Sequence, residues 1–307
     1  MSQLTAQTAH VVVYKKPKKD WSLLPFGIIF SLFVTLFSYV PLAGWYLAFI
    51  DYKLGANIFA CKFIGLENFQ AIFSSSAFSR ALTNTLIFSA VKYACLFFPP
   101  IFAVLLNEIK NLHFKKVVQT LTTLPHFISW VIIYGFVYAL FSSEGPVNSF
   151  LALFGKTQNI LIDKNAVYAF QSILSLWKGL GWSSIIYMAA IAGIDQELYE
   201  AAAVDGAGYF RRAMHITVPG ILPTLLVLLL LGVAEIMNNG MDQYYVFQNS
   251  ATMKKLESLE IYTYNRGLKY QDFSYATAVS VFKTVVSVTL LFGTNFLAKK
   301  VRGNSIV

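Results

Sequence analysis

Charge is scarce in this chain. Only 13% of its 307 residues are charged, about half the share found in a soluble domain, which excludes an ordinary water-soluble globule. Cysteine is scarcer still. Cys61 lies in a loop and Cys95 inside an apolar block, and two thiols so placed make neither a disulfide framework nor a tetrahedral metal site. The four histidines, His10, His113, His126 and His215, are dispersed without ligand spacing, and neither H-E-x-x-H nor a Cys/His cluster occurs. No G-x-x-x-x-G-K-[ST] loop is present, so the chain lacks the usual nest of backbone donors for ATP phosphates. Paired acids at active-site spacing are also missing, which counts against a membrane-embedded enzyme. No Pro/Gly/Ser linker, low-complexity tract or tandem repeat breaks the chain into parts.

What the sequence does have is apolar residues, 56% of the total, gathered in uninterrupted blocks. About 20 apolar residues in a helix cross the hydrocarbon core of a bilayer, and six blocks reach that length: Leu24 to Phe49, Thr83 to Leu106, Leu121 to Phe141, Val167 to Ala192, Pro219 to Met237 and Ser274 to Leu297. Lys15, Lys16, Lys18 and Lys19 precede the first block. That block exceeds a signal-peptide core and has no A-x-A cleavage site, so it is read as a retained span. The pattern predicts an all-α polytopic membrane protein with six transmembrane helices. Its parts are an N-terminal tail (1–22), a transmembrane domain (23–298) and a C-terminal tail (299–307). With both termini inside, the cytoplasmic segments hold twelve Lys and Arg and the longer external set nine. The positive-inside rule therefore favours cytoplasmic termini. A net charge of +9 is what such loops produce, and nucleic acid is given no part. Glu67 to Phe78, with Phe69, Ile72, Phe73 and Phe78 apolar, is expected to lie as an amphipathic helix at the membrane surface.

The most informative stretch is the polar segment 195–219 between the fourth and fifth blocks. Gln196 to Val204 is rich in helix formers, Gly206 permits a sharp turn, and Ala207 to Ile216 can start a second short helix. Ala201, Ala202 and Ala203 leave room for another surface to approach closely, with Glu200, Asp205, Arg211 and Arg212 around them. Pro219 and Pro223 are expected to mark where this element ends and the fifth span begins.

Glu200-Ala201-Ala202, Gly206, Ile216 and Pro219 follow the spacing EAA, three residues, G, nine residues, I-x-L-P, with Val218 in place of the Leu. This resembles the membrane permease subunits of binding-protein-dependent ATP-binding-cassette importers. Softer matches extend from Gly65-Leu66-Glu67-Asn68-Phe69 and Asn84-Thr85-Leu86 to Tyr275-Ala276-Thr277-Ala278 and the tail from Asn295 to Arg302. They look like the carbohydrate branch, the LplB-like oligosaccharide and polysaccharide permeases. The resemblance implies that Glu200, Ala201, Ala202, Asp205, Gly206, Ala207, Ile216 and Pro219 form a cytoplasmic coupling element docked in a separate ATPase subunit. It further implies two such ATPases carrying the ATP and Mg, a second permease, homologous in a heterodimer or identical, and an external solute-binding protein. The setting would be the bacterial cytoplasmic membrane, and no cofactor would be bound by this chain.

Charged side chains inside spans are costly and call for a reason. Lys92, Lys178, Glu235 and Lys283 fall at similar depths in the outer half of the blocks. They are read either as a polar layer facing the pathway or as structural Glu–Lys pairing with buried or snorkelling lysines. Three lysines against one glutamate would favour an acidic, uronate-containing oligosaccharide. A neutral sugar could instead use Glu235, Asn238 and Asn239, with Glu235 and Asn239 on one helical face. Trp130, Tyr134 and Tyr138 share a face of the third block and Trp182 follows Lys178 by one turn. They offer flat surfaces for sugar rings, or else helix packing. Another small solute remains open as cargo. An ion-coupled secondary transporter or a channel would use the intramembrane charges but has no need of the coupling pattern.

Overall fold

The computed structural model describes residues 24–155 and 159–302. The N-terminal tail with its four lysines and the last residues of the C-terminal tail lie outside them. Among the described residues there is no strand, only an isolated bridge between Ile50 and Phe63. The chain divides into two compact units, 1–46 and 47–307.

In the first unit α1 (Leu24–Val34) continues through a π turn (Thr35–Tyr39) into a tighter helical segment (Val40–Phe49), which crosses the unit boundary. From Leu24 to Ala43 every residue is exposed, in a stretch that carries no charged side chain.

The second unit is a helical assembly. The short amphipathic α2 (Glu67–Ser74) forms where its pattern predicts, burying Ile72. Next, α3 (Ser76–Ala94) and α4 (Phe98–Asn107) make up the second block. They are joined by one tight turn at Cys95–Phe97, just before Pro99 and Pro100 remove two backbone donors. The third block is not one helix. α5 (Leu112–Thr123) ends in a tight turn (Leu124–Phe127) containing Pro125, and Ser129 caps the start of α6 (Trp130–Phe141). α7 (Pro146–Ala152) follows.

α8 (Val167–Ala192) lies centrally, against α3, α4, α5 and α11. Its 26 residues make it about 39 Å long. Five helices of the described chain are both long and apolar enough to cross a membrane, and α8 is not one of them. Helices surround it, so protein rather than lipid sets the polarity it can carry. α9 (Gln196–Val204), α10 (Tyr209–Arg212) and α11 (Val218–Ala234) carry the predicted coupling stretch, and α12 (Asp242–Val246), α13 (Met253–Leu256) and α14 (Leu259–Tyr264) pack against α6, α3 and α15. α15 (Phe273–Arg302) closes the chain.

Two apolar clusters hold α8. Phe88, Ile133, Val137, Phe170, Tyr244 and Phe247 pack at one end, and Ala103, Tyr187, Ile191 and Ile221 at the other. At Gly181 the contact is so close that a Cβ would run into the Thr122 backbone.

Candidate functional site

The coupling stretch is built as its sequence predicts, with one correction. α9 spans Gln196–Val204, Asp195 caps it by accepting from the Glu197 amide, and Gly206 turns the chain at φ +74°. That is left-handed backbone, which glycine adopts without steric cost. Pro219 and Pro223, however, do not interrupt the helix. A π turn at Ala213–Thr217 carries α10 straight into α11, Pro219 sits in the first turn of α11, and Pro223 lies inside it. The π turn makes the backbone ladder irregular just before Pro219, where the donor that proline lacks is least missed. The second arm of the motif is thus the foot of α11, part of a helical run, Tyr209–Ala234, long and apolar enough to cross a membrane.

No residue of α9 is buried. Glu200, Ala201 and Asp205 are exposed, Ala202 and Ala207 half-buried, and Val204 is 89% exposed. Ile216 is half-buried and Pro219 exposed on the other arm. The two arms are tied: the Tyr199 and Thr217 hydroxyls lie 2.9 Å apart in a hydrogen bond, with Thr217 fully buried, and Ile194 packs on Gly220. A rigid exposed knob is therefore fastened to the base of a long helix.

The intramembrane charges separate by role. Lys178 donates to the carbonyls of Pro125, His126 and Ile128 at 3.1, 2.6 and 2.7 Å. They lie at the break between α5 and α6, where carbonyls lose helical partners, and Pro125 also accepts from the Ile128 amide. Its ammonium also lies 5.5 Å from the Trp130 ring centroid. Lys283 pairs at 3.2 Å with Glu260 of α14, so its carboxylate partner lies on that short helix and is not Glu235. Glu235 is exposed just past the end of α11. The helix stops at Ala234, so Glu235 and Asn239 share no helical face. Asn238 is exposed. Asn239 donates to the Thr85 carbonyl and Ser89 hydroxyl, and its amide to Glu260.

Lys92 differs. It is exposed and has no hydrogen-bond or ion-pair partner among the described residues. It lines a cavity of about 260 Å³ with Asn239, Tyr244 and a stripe of α8: Ser172, Ser175, Gly179 and Ser183. Ser175 and Ser183 carry hydroxyls without a partner among the described residues, whereas Ser172 bonds back to the Tyr168 carbonyl. Tyr244 stacks on Phe88 at 4.2 Å. Burial and then the neighbouring Glu260 push its phenol pKa up, which keeps it a neutral hydroxyl.

The predicted aromatic face is real on α6, but it is used for packing. Trp130 and Tyr134 meet Phe247 edge-on, Tyr138 is exposed beside Tyr134, and Trp182 stacks on His126 at 4.5 Å. None of them lines the cavity of Lys92. The serine stripe went unread in the sequence, although its spacing of three, four and four residues along α8 is a helical signature.

These features, a polar-lined helical assembly and an exposed two-armed knob at one end, define a membrane permease subunit. Residues 96–303 match the binding-protein-dependent transport system inner membrane component family, and the chain belongs to that family of ATP-binding-cassette permeases. It is a multi-pass transport subunit of the inner membrane and not an enzyme. It is 37% identical to the polygalacturonan/rhamnogalacturonan transport system permease protein YteP of Bacillus subtilis, over 97% of each chain. To protein LplB of the same organism it is 36% identical, over 93% of this chain and 90% of the relative. A chain of a bacterial alginate ABC transporter, solved with an alginate pentasaccharide-bound periplasmic protein, superposes with a TM-score of 0.85 at 30% identity, covering 94% of this chain and 97% of that one.

Proposed function

We propose that this chain moves an acidic, uronate-containing oligosaccharide across the bacterial cytoplasmic membrane by alternating access, as one of two permeases working with two ATPase subunits and an external binding protein. With α8 counted as a sixth span, both termini of the domain 23–298 fall on one side, and the Lys and Arg bias of the loops favours the cytoplasm. The exposed α9 knob, tied to α11 by Tyr199 and Thr217, carries the importer reading. ATP closing the ATPase pair would move α9 as a rigid body, and the tie would pass that motion to the span. Glu200, Ala201, Ala202, Asp205, Gly206 and Ala207 are the docking surface, with Ile216 and Pro219 on the transmitting arm.

Lys92 carries the acidic-cargo reading. It is a cation without a protein counter-charge in a cavity that also offers serine, asparagine and tyrosine groups for sugar hydroxyls. The relatives support it: one is named for polygalacturonan and rhamnogalacturonan, and a structural neighbour is described as importing the acidic polysaccharide alginate. The test is ATPase stimulation of the reconstituted transporter, with its binding protein, by size-matched uronate-containing and neutral oligosaccharides. Stimulation by the acidic series, weakened in Lys92→Gln, is the expected result. Stimulation by the neutral series alone would overturn the acidic cargo and leave the importer standing.

A further inference from the structure

A second cavity system lies away from the polar path, against α4, α10 and α11. An apolar groove of about 500 Å³ runs between them, lined by Pro100, Val104, Leu105, Phe210, Ala213 and Leu222. It offers a sugar almost nothing, because its only polar side chains are Glu108 and Tyr209. Those same two residues also line an adjoining polar pocket of about 310 Å³ with Asn107, Lys110 and Arg212. The two spaces therefore adjoin at Glu108 and Tyr209, one apolar, the other polar and at the helix ends.

The polar end carries an unresolved charge. Lys110 Nζ and the Arg212 guanidinium lie 5.2 and 4.8 Å from the centroid of the same ring, Tyr209. Neither forms an ion pair among the described residues, and Lys115 reaches Asn107 of the same pocket at 3.4 Å. Three cations thus stand against one carboxylate, Glu108. Like charges so gathered repel, and an anion among them removes the repulsion.

We propose that this composite site binds an anionic phospholipid, with an acyl chain in the groove and its phosphate between Lys110 and Arg212. An apolar groove that ends in cations fits a molecule apolar along its length and negative at its head. The placement also gives the lipid leverage. Arg212 immediately precedes the π turn that joins the coupling element to α11, so a bound headgroup stiffens the joint through which motion would pass. The site rests on reading the coupling segment as cytoplasmic, which puts the headgroup in the inner leaflet.

The test uses the complete transporter in nanodiscs of phosphatidylcholine mixed with phosphatidylglycerol. Retained lipid is counted by native mass spectrometry after transfer to detergent. Wild type should retain phosphatidylglycerol in preference, with affinity falling about fivefold for each cation removed in Lys110→Gln and Lys110→Gln/Arg212→Gln. Leu105→Trp, at an exposed groove position, should displace the lipid with both cations in place. Glycerol 1-phosphate should not compete. Equal retention in all variants overturns the site. Competition by glycerol 1-phosphate shows a free-phosphate site instead, and a photo-cross-linker at Val104 that captures the second permease shows a protein occupant; either result overturns the lipid. Copurification of the ATPase subunits, scored on the same samples, reads the coupling assignment separately.

Discussion

Tyr199, on an exposed nine-residue helix, and Thr217, buried at the foot of a membrane span, share a hydroxyl hydrogen bond of 2.9 Å across 18 residues of chain. It is the direct polar link between the two arms of the coupling element. A neutral hydrogen bond of this kind contributes about 1 kcal/mol, too little to govern whether the protein folds but enough to decide whether the arms move together. Tyr199→Phe keeps the ring and removes the link. Insertion and ATPase binding should be retained while the ratio of sugar imported to ATP hydrolysed falls. An unchanged ratio in proteoliposomes would show that the tie transmits nothing.

Gly206 turns the chain at φ +74° with open space around the position of a Cβ. Conformation rather than crowding restricts the site. Non-glycine residues pay about 1–2 kcal/mol in the left-handed region, and asparagine pays less. Gly206→Glu should therefore uncouple transport and weaken ATPase copurification, while Gly206→Asn retains most of both. If both variants behave alike, the backbone requirement is refuted.

The helix Gln196–Val204 was legible in the sequence to the residue, because a capping aspartate, a run of helix formers and a turn glycine all agree. The apolar blocks were legible as helical from their length and hydropathy, and five helices of the described chain are long and apolar enough to cross a membrane. Junctions were not. Pro125 and Ser129 signal a break in the third block, yet its hydropathy reads straight through, and hydropathy says nothing about where backbone bonds stop. Pro219 and Pro223 misled in the opposite direction, since the helix runs on through a π turn and carries Pro223 in its interior. The partners of Lys178 and Lys283 were out of reach because each lies on a different element: three carbonyls about 50 residues upstream for the first and Glu260 for the second. The serine stripe of α8 was available from its spacing alone, but its meaning needed the facing Lys92.

Gly181 sits where α8 meets the end of α5, and a Cβ there would collide with the backbone of Thr122. Backbone cannot swing aside as a side chain does, so the helices must separate. Overpacking of this kind costs about 1–3 kcal/mol. Gly181→Ala should lower the thermal unfolding midpoint of the detergent-purified transporter, whereas Gly179→Ala, at an uncrowded position two residues away, should not. Equal midpoints for the two variants would contradict the close approach.

Lys178 and Lys92 look alike in the sequence, each a lone lysine in an apolar block, and the structure gives them opposite duties. Lys178 satisfies three carbonyls, and Lys92 satisfies none. Removing Lys178 strands buried acceptors, at about 1–3 kcal/mol for a group left unsatisfied. Lys178→Met should therefore lower thermal stability clearly while leaving the preference between acidic and neutral sugars unchanged. Lys92→Gln should do the reverse, because an exposed cation with no partner contributes little to folding and its charge faces the cavity. Measuring unfolding midpoints and sugar-stimulated ATPase on both variants separates the duties. If Lys178→Met shifts the preference and Lys92→Gln does not, Lys178 faces the cargo and the assignment of the cavity is wrong.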